Sequence, residues 1–456
     1  MSRRFVRPSH SPPSRYHPRR GLALTLTHAY HAARPSTRPR SHCVALSDAG
    51  AAFAWGRNDM GQLGVGDTRT RAGPTTVTGL KVPISSASTG KSHTVWVGSG
   101  GELFACGASK QGCCGPAANK KKETEMTPIL VAGLPPVASV SAGGAFSLVI
   151  DRAGTLWAFG SSEGGVLGNG SDGAYNKAEG SIKMAYTVQA TPTKIHKLAD
   201  KTMVGCAAGP THCAAIDDEG RCFTWGGGGY GRLGHREQKD LNVPTELVDI
   251  RATAVACGSL YTAALGYPVL RNGVVSSGGQ ATFYMWGRVR AASQNSWMYP
   301  QGEDDLRGWN LGTFACGAAH TVVAADSSVI SWGPQCSCGE LGYGEGEKKS
   351  SSRPKKCDDL EKMVVAQVAC GLAHTVMLVD ADDPVVAGLP EWTPVQVGIS
   401  LYKILFHFKA LLWESIILAP PPPATPTLLQ FYCTPVAQYT LLPRPCVCMP
   451  YTIQYW

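Results

Sequence analysis

Acid is missing from the start of this sequence and glycine is scarce at its end. Residues 1–41 hold nine arginines and no lysine, aspartate or glutamate. Residues 395–456 hold nine prolines and one glycine. Between these tails lie 51 of the 53 glycines, without a Gly-X-Y period, which excludes a collagen-like chain. Apolar residues are plentiful in the same stretch, which argues against disorder. No segment of 42–394 carries a sustained helical period, which disfavours a helical solenoid. The chain does not open on a secretory signal pattern. Its 16 cysteines are therefore expected as reduced, buried thiols of a cytosolic or nuclear protein.

The missing acid also relocates the net charge of +9. The first 41 residues supply all of it, and the remainder has 33 basic and 33 acidic residues. Segment 42–394 has 30 basic and 32 acidic residues, a net of −2. The body is expected to act through shape and local patches, with any bulk affinity for nucleic acid confined to the arm.

Self-similarity is the dominant signal. A Gly-x-x-His element or a variant marks seven anchors, His42, His93, Phe146, His212, Tyr261, His320 and His374. They are 51, 53, 66, 49, 59 and 54 residues apart. An aromatic-Gly or Cys-Gly pair follows at nearly constant distance, at Trp55, Cys106, Phe159, Trp225 and Trp332. In the fifth unit it comes later, at Trp286, after the insertion GYPVLRNGVVSS. A third element, Gly-x-Leu-Gly or a variant, ends at Gly64, Gly115, Gly168, Gly234 and Gly342. Each unit reads as two short strands around an Asp/Gly turn, then a proline-marked outer strand such as NVPTELVDI. An innermost strand such as AVACG leads to the next anchor. Four short strands per unit of about 50 residues is the grammar of a propeller blade.

These residues resemble the regulator of chromosome condensation repeat family. GGYGRLGHREQKD (228–240), VAADSSVISWGP (323–334), GELGYGEG (339–346) and LPEWTP (389–394) carry the resemblance furthest. It covers 42–394 and implies an all-β, seven-bladed β-propeller. His374 starts a hairpin with no aromatic-Gly sequel, so one blade is expected to be incomplete. The family supplies such missing strands from the N-terminus, but residues 1–41 show one short apolar stretch and no turn grammar. Three regions follow: a basic low-complexity arm (1–41), a propeller (42–394) and a Pro-rich hydrophobic tail (395–456). The resemblance implies a non-enzymatic scaffold of mitosis, chromosomes and the cytoskeleton that contacts a Ras-superfamily small GTPase. Microtubules or chromatin are further implied partners, and the implied location is nucleus and cytoplasm. The alternative is a guanine-nucleotide exchange factor.

The bland reading of each motif competes with the functional one. The anchor histidines His42, His93, His212, His320 and His374 would be spread around a ring, whereas metal ligands must converge on one point. They are expected to pack blades, together with Trp55, Trp225, Trp286 and Trp332. Cys113-Cys114, Cys336-Ser-Cys338 and Cys446-Val-Cys448 lack the paired spacing of a zinc site. WGGGGYGRLGH (225–235) is glycine-rich but lacks the Lys-Ser/Thr of a phosphate loop. No catalytic constellation emerges, and neither a cofactor nor a small-molecule substrate is expected. Candidate partner contacts are Lys120, Lys121, Lys122, Lys348 and Lys349, which follow the same repeat element and should share a face. His235, Arg236 and Lys239 follow GRLG and could stand on the rim. The loop 171–200 is the longest insertion, and long loops are often functional.

The tails keep several readings open. The arm fits an organelle transit peptide, a flexible basic arm or a non-native terminus. In the tail, 397–419 is apolar, but Lys403, His407, Lys409 and Glu414 interrupt it. Each charge costs a few kcal/mol at a bilayer centre, which disfavours a membrane span. An amphipathic helix or a non-native extension fits better.

Overall fold

A computed structural model describes residues 23–26, 41–379 and 386, except 119–122, 177–183, 271, 277–278, 290–295 and 345. The regular elements described are strands and short 3-10 turns. Blade one runs β1 (Ala23–Leu26), β2 (His42–Leu46), β3 (Ala52–Gly56) and β4 (Arg71–Thr76), in that spatial order. Blade two repeats the order with β5 (Ile84–Thr89), β6 (His93–Gly98), β7 (Leu103–Ala108) and β8 (Thr124–Leu130). Blade three begins with β9 (Val137–Ala142), β10 (Phe146–Asp151) and β11 (Leu156–Ser161). A small hairpin, β12 (Ala174–Asn176) with β13 (Met184–Tyr186), interrupts it before the outer strand β14 (Val188–Lys194). This hairpin lies in the long loop singled out above.

Blades four and five are one continuous sheet. They comprise β15 (Met203–Ala208), β16 (His212–Asp217), β17 (Arg221–Gly226), β18 (Leu241–Cys257), β19 (Tyr261–Pro268), β20 (Thr282–Gly287) and β21 (Trp297–Gly302). The first half of β18 pairs with β17 as an outer strand, and Ile250–Cys257 pairs with β19 as an inner strand. Sequence reading separates NVPTELVDI from AVACG. The structure joins them because VDIRA leaves no room for the 3-10 turns that break the chain at His196–Leu198 and Asp358–Leu360. Blade six is β22 (Leu311–Cys316), β23 (Thr321–Ala325), β24 (Ser328–Gly333) and β25 (Ser351–Lys356). Blade seven shows two described strands, β26 (Val365–Cys370) and β27 (Thr375–Val379).

The basic arm is corrected at one point. Residues 1–41 read as lacking a strand set, yet Ala23–Leu26 pairs antiparallel with Cys43–Leu46. ALTL is the short apolar stretch of the arm, and it gives blade one its innermost strand. β1 also neighbours β5 and β26, so the inner strands of blades one and seven meet. The arm's described strand thus completes blade one rather than blade seven.

The core sits between blades. Leu156, Val166 and Leu167 of blade three pack with Cys213, Phe223 and Trp225 of blade four. Ile216 and Cys222 of blade four pack with Ala264, Tyr284 and Trp286 of blade five. A single strand face cannot be buried within one sheet, so each blade is stable only against its neighbours.

Candidate functional site

The repeat elements build the frame. In all six four-stranded blades the pairing of third and outer strand slips at the aromatic-Gly pair, for example between Thr224 and Gly226. The residue skipped there is Trp55, Cys106, Phe159, Trp225, Trp286 or Trp332, each buried. The bulge bends the strand and turns this side chain into the interface with the preceding blade. Trp225 Nε1 donates to Val166 O of blade three at 2.8 Å. Gly226 takes φ 97°, which a side chain would resist.

The anchors form an inter-blade relay. His42 Nε2 lies 2.9 Å from Thr94 Oγ1, His93 Nε2 2.9 Å from Ser147 Oγ and His212 Nε2 2.9 Å from Thr262 Oγ1. His320 Nε2 lies 3.1 Å from Thr375 Oγ1, and His374 Nε2 lies 3.3 Å from Cys43 Sγ. Each partner directly follows the next anchor around the ring, and His374 to Cys43 closes the circle. Thr94, Thr262 and Thr375 in turn donate to the carbonyls of Gln62, Arg232 and Glu340, inside the Gly-x-Leu-Gly elements. A hydroxyl that donates there must accept from the imidazole, so Nε2 carries the proton in these links. Tyr261 keeps the geometry with its hydroxyl, which accepts from Thr321 Oγ1 at 3.0 Å and donates to His320 O at 2.5 Å. Burial lowers the His42 pKa to about 3 and the His93 pKa to about 4, and holds His212 well below its ordinary value.

Six of the seven anchors, all but His42, have a glycine three residues earlier, and it serves close packing. Gly209 has no left-handed φ; a Cβ there would stand 2.7 Å from the His212 ring and 2.9 Å from Gly258 O. The glycine makes room for the imidazole and the next blade's backbone.

The candidate contact residues arise from one kind of connection. His235, Arg236 and Lys239 lie between β17 and β18, and Lys348 and Lys349 between β24 and β25. Both segments join a third strand to an outer strand, so they leave their antiparallel blades at the same end. The relay joins equivalent positions of neighbouring blades, which keeps those ends on one side of the ring. Lys120, Lys121 and Lys122 belong to the same kind of connection in sequence but lie outside the described residues. Lys239, Lys348 and Lys349 are exposed.

His235 is half-buried, with Nε2 2.8 Å from Thr224 Oγ1, and burial lowers its pKa. It fastens its loop to β17 rather than standing clear of the rim. Arg236 is exposed with φ 67° and spans two blades. Its guanidinium lies 3.2 Å from Asp249 and 4.6 Å over the Tyr299 ring. In the same pair of blades Arg288 lies 5.3 Å over Tyr230, and Arg232 Nη1 donates to Thr211 Oγ1 at 2.8 Å. Tyr230, Arg232, Arg288 and Tyr299 escaped sequence reading because each contact joins different strands or repeats, with no local spacing to announce it. Among the described residues no group of three or more His, Cys, Asp or Glu could hold a metal ion. The 13 described cysteines are free thiols, and no helix among the described residues is long and apolar enough to cross a membrane.

Comparison with known proteins follows the same repeats. The model of the regulator of chromosome condensation (RCC1) repeat matches residues 49–97, 100–150, 153–216 and 219–265. The Protein RCC2 homolog of Danio rerio is 34% identical over 376 residues, covering 78% of this chain and 73% of the relative. Human WBSCR16 shares the fold with a TM-score of 0.62 at 18% identity, over 78% of this chain and 85% of that one. Prp20p of Saccharomyces cerevisiae does so with a TM-score of 0.56 at 19% identity, over 76% and 80%. This chain belongs to the regulator of chromosome condensation repeat family and is similar within it to the RCC2 proteins.

Proposed function

We propose that this chain is a non-enzymatic propeller scaffold in chromosome and cytoskeleton regulation that binds a small GTPase. One observation carries the reading: the described basic candidates leave their blades by the same type of connection and share one end of the ring. Lys239, Arg236, Lys348 and Lys349 there suit an acidic partner surface, and a rigid ring of blades holds them at set distances. The similarity to RCC2 proteins supports a role in chromosome regulation, and nucleus and cytoplasm are the location we propose for it. Prp20p, which shares the fold, is described with its binding properties to Gsp1p and histones, which favours GTPase or chromatin partners.

The test is a pull-down with small GTPases in nucleotide-free and nucleotide-loaded forms. Binding that weakens at least tenfold in a Lys239→Glu, Lys348→Glu, Lys349→Glu variant is the expected result. Binding of neither form removes the GTPase from this reading. The binding properties of Prp20p toward Gsp1p also keep a second reading open, a guanine-nucleotide exchange factor. It requires accelerated release of labelled GDP, and an unchanged release rate across a GTPase panel rejects it.

A further inference from the structure

Three serines, Ser350, Ser351 and Ser352, follow Lys348 and Lys349 where the connection between β24 and β25 enters the outer strand. They are not equivalent. Ser351 opens β25 by pairing with Gly333, and its Oγ donates to Arg353 O at 2.6 Å. Ser352 lies inside the strand. Ser350 stands just before it, at the end of a stretch, 346–350, that is exposed residue after residue and belongs to no regular element. An enzyme that modifies a side chain must take the backbone around it into a cleft, and such a stretch can enter without unravelling the blade.

The charges around Ser350 are also available. Lys348 and Lys349 form no ion pair among the described residues, whereas the neighbouring Glu347 is neutralised by Lys355 Nζ at 2.9 Å. Arg353 adds an exposed cation three residues further on. The equivalent connections differ. In blade one Thr68 and Thr70 stand beside arginines, but Arg71 is held by Asp67 at 2.7 Å. In blade four the stretch 235–240 has no hydroxyl side chain.

We propose that Ser350 is a phosphorylation site for a serine kinase whose acidic cleft selects basic residues ahead of the serine. The γ-phosphoryl group of ATP passes to Ser350 Oγ. The new O–P bond forms as the bond to the departing ADP breaks, and the kinase's base takes the hydroxyl proton. The phosphate brings a charge of about −1.5 to −2, against the two positive charges of Lys348 and Lys349. Modification therefore turns this loop from basic to nearly neutral and releases an acidic partner. The release, unlike the site, rests on the binding face proposed above.

The full chain is treated with a purified basophilic serine kinase and ATP, and the phosphate is mapped by mass spectrometry. Ser9 and Ser36, which follow Arg-Pro pairs in the arm, serve as internal references. Phosphate is expected at Ser350, falling by roughly tenfold in a Lys348→Ala, Lys349→Ala variant while the arm serines are unaffected. Phosphate on Ser351, Ser352 or the arm alone overturns the site, and so does equal Ser350 occupancy in the lysine variant. In the GTPase pull-down the treated chain should bind roughly tenfold more weakly, and treated Ser350→Ala should bind like the untreated chain. Equal binding before and after treatment overturns the release. If the untreated chain binds no GTPase, the proposed function falls and the release with it, whereas the mass spectrum still decides the site.

Discussion

Between blades four and five, His212 meets a threonine hydroxyl at 2.9 Å, and that hydroxyl passes a 2.8 Å hydrogen bond on to Arg232 O. Between blades seven and one, His374 meets the thiol of Cys43 at 3.3 Å. The first interface is also crossed by a continuous strand that runs from one blade to the next. The second joins a blade with two described strands to a blade whose inner strand is the four-residue β1. A thiol is a poor hydrogen-bond partner beside a hydroxyl. The anchor bonds are therefore strong where a serine or threonine hydroxyl answers the imidazole, missing at Phe146 between blades three and four, and weak at the seam where the two ends of the propeller meet.

The largest expected effect breaks a strong link. Trp225→Ala removes the indole and its bond to Val166 O, and should cost about 3–5 kcal/mol in denaturant unfolding. A loss below about 1 kcal/mol would show that the aromatic-Gly position does not carry the interface. Next, His212→Ala should cost about 1–3 kcal/mol, and His374→Ala less than about 1 kcal/mol. Equal losses at the two sites would abolish the contrast between link and seam.

Acid should act on the links through their imidazoles. His42 and His93 have folded pKa values of about 3 and about 4, below the ordinary 6.5. The unfolded chain binds more protons in that window, so the contribution is complete above pH 6.5 and declines as pH falls toward 4. His93→Phe copies the residue at Phe146 and should reduce the slope of stability against pH by about one proton, or ~1.4 kcal/mol per pH unit. Identical slopes in the parent and the variant would count against a neutral, buried anchor. The smallest effect repairs the seam: Cys43→Thr supplies the hydroxyl found at the other links. A gain of about 0.5–1 kcal/mol is expected, and a loss would mean the thiol is packed as well as bonded.

The repeat was legible because every unit must solve the same packing problem with the same few residues. The anchor, aromatic-Gly and Gly-x-Leu-Gly elements thus located the second strand, the third strand and the loop after it. Two features stayed hidden. The strand in the arm lacks an anchor of its own, and the fusion in β18 depends on what is missing from VDIRA rather than on a motif. The candidate site was legible as a set of connections but not as a surface. Nothing near Arg236 in sequence points to Tyr299, and nothing near His235 distinguishes a rim residue from one tied to Thr224.

The continuous strand β18 has a consequence for blades four and five. Side chains alternate between the two faces of a strand, so a slip of one residue sends each to the opposite side. At the other blade junctions a loop separates outer strand from inner strand and can absorb such an error. In β18 a bulge takes the loop's place: the pairing with β17 jumps from Leu247 to Arg251 and skips the three residues between them. Blades four and five can therefore settle their registers separately along one unbroken strand.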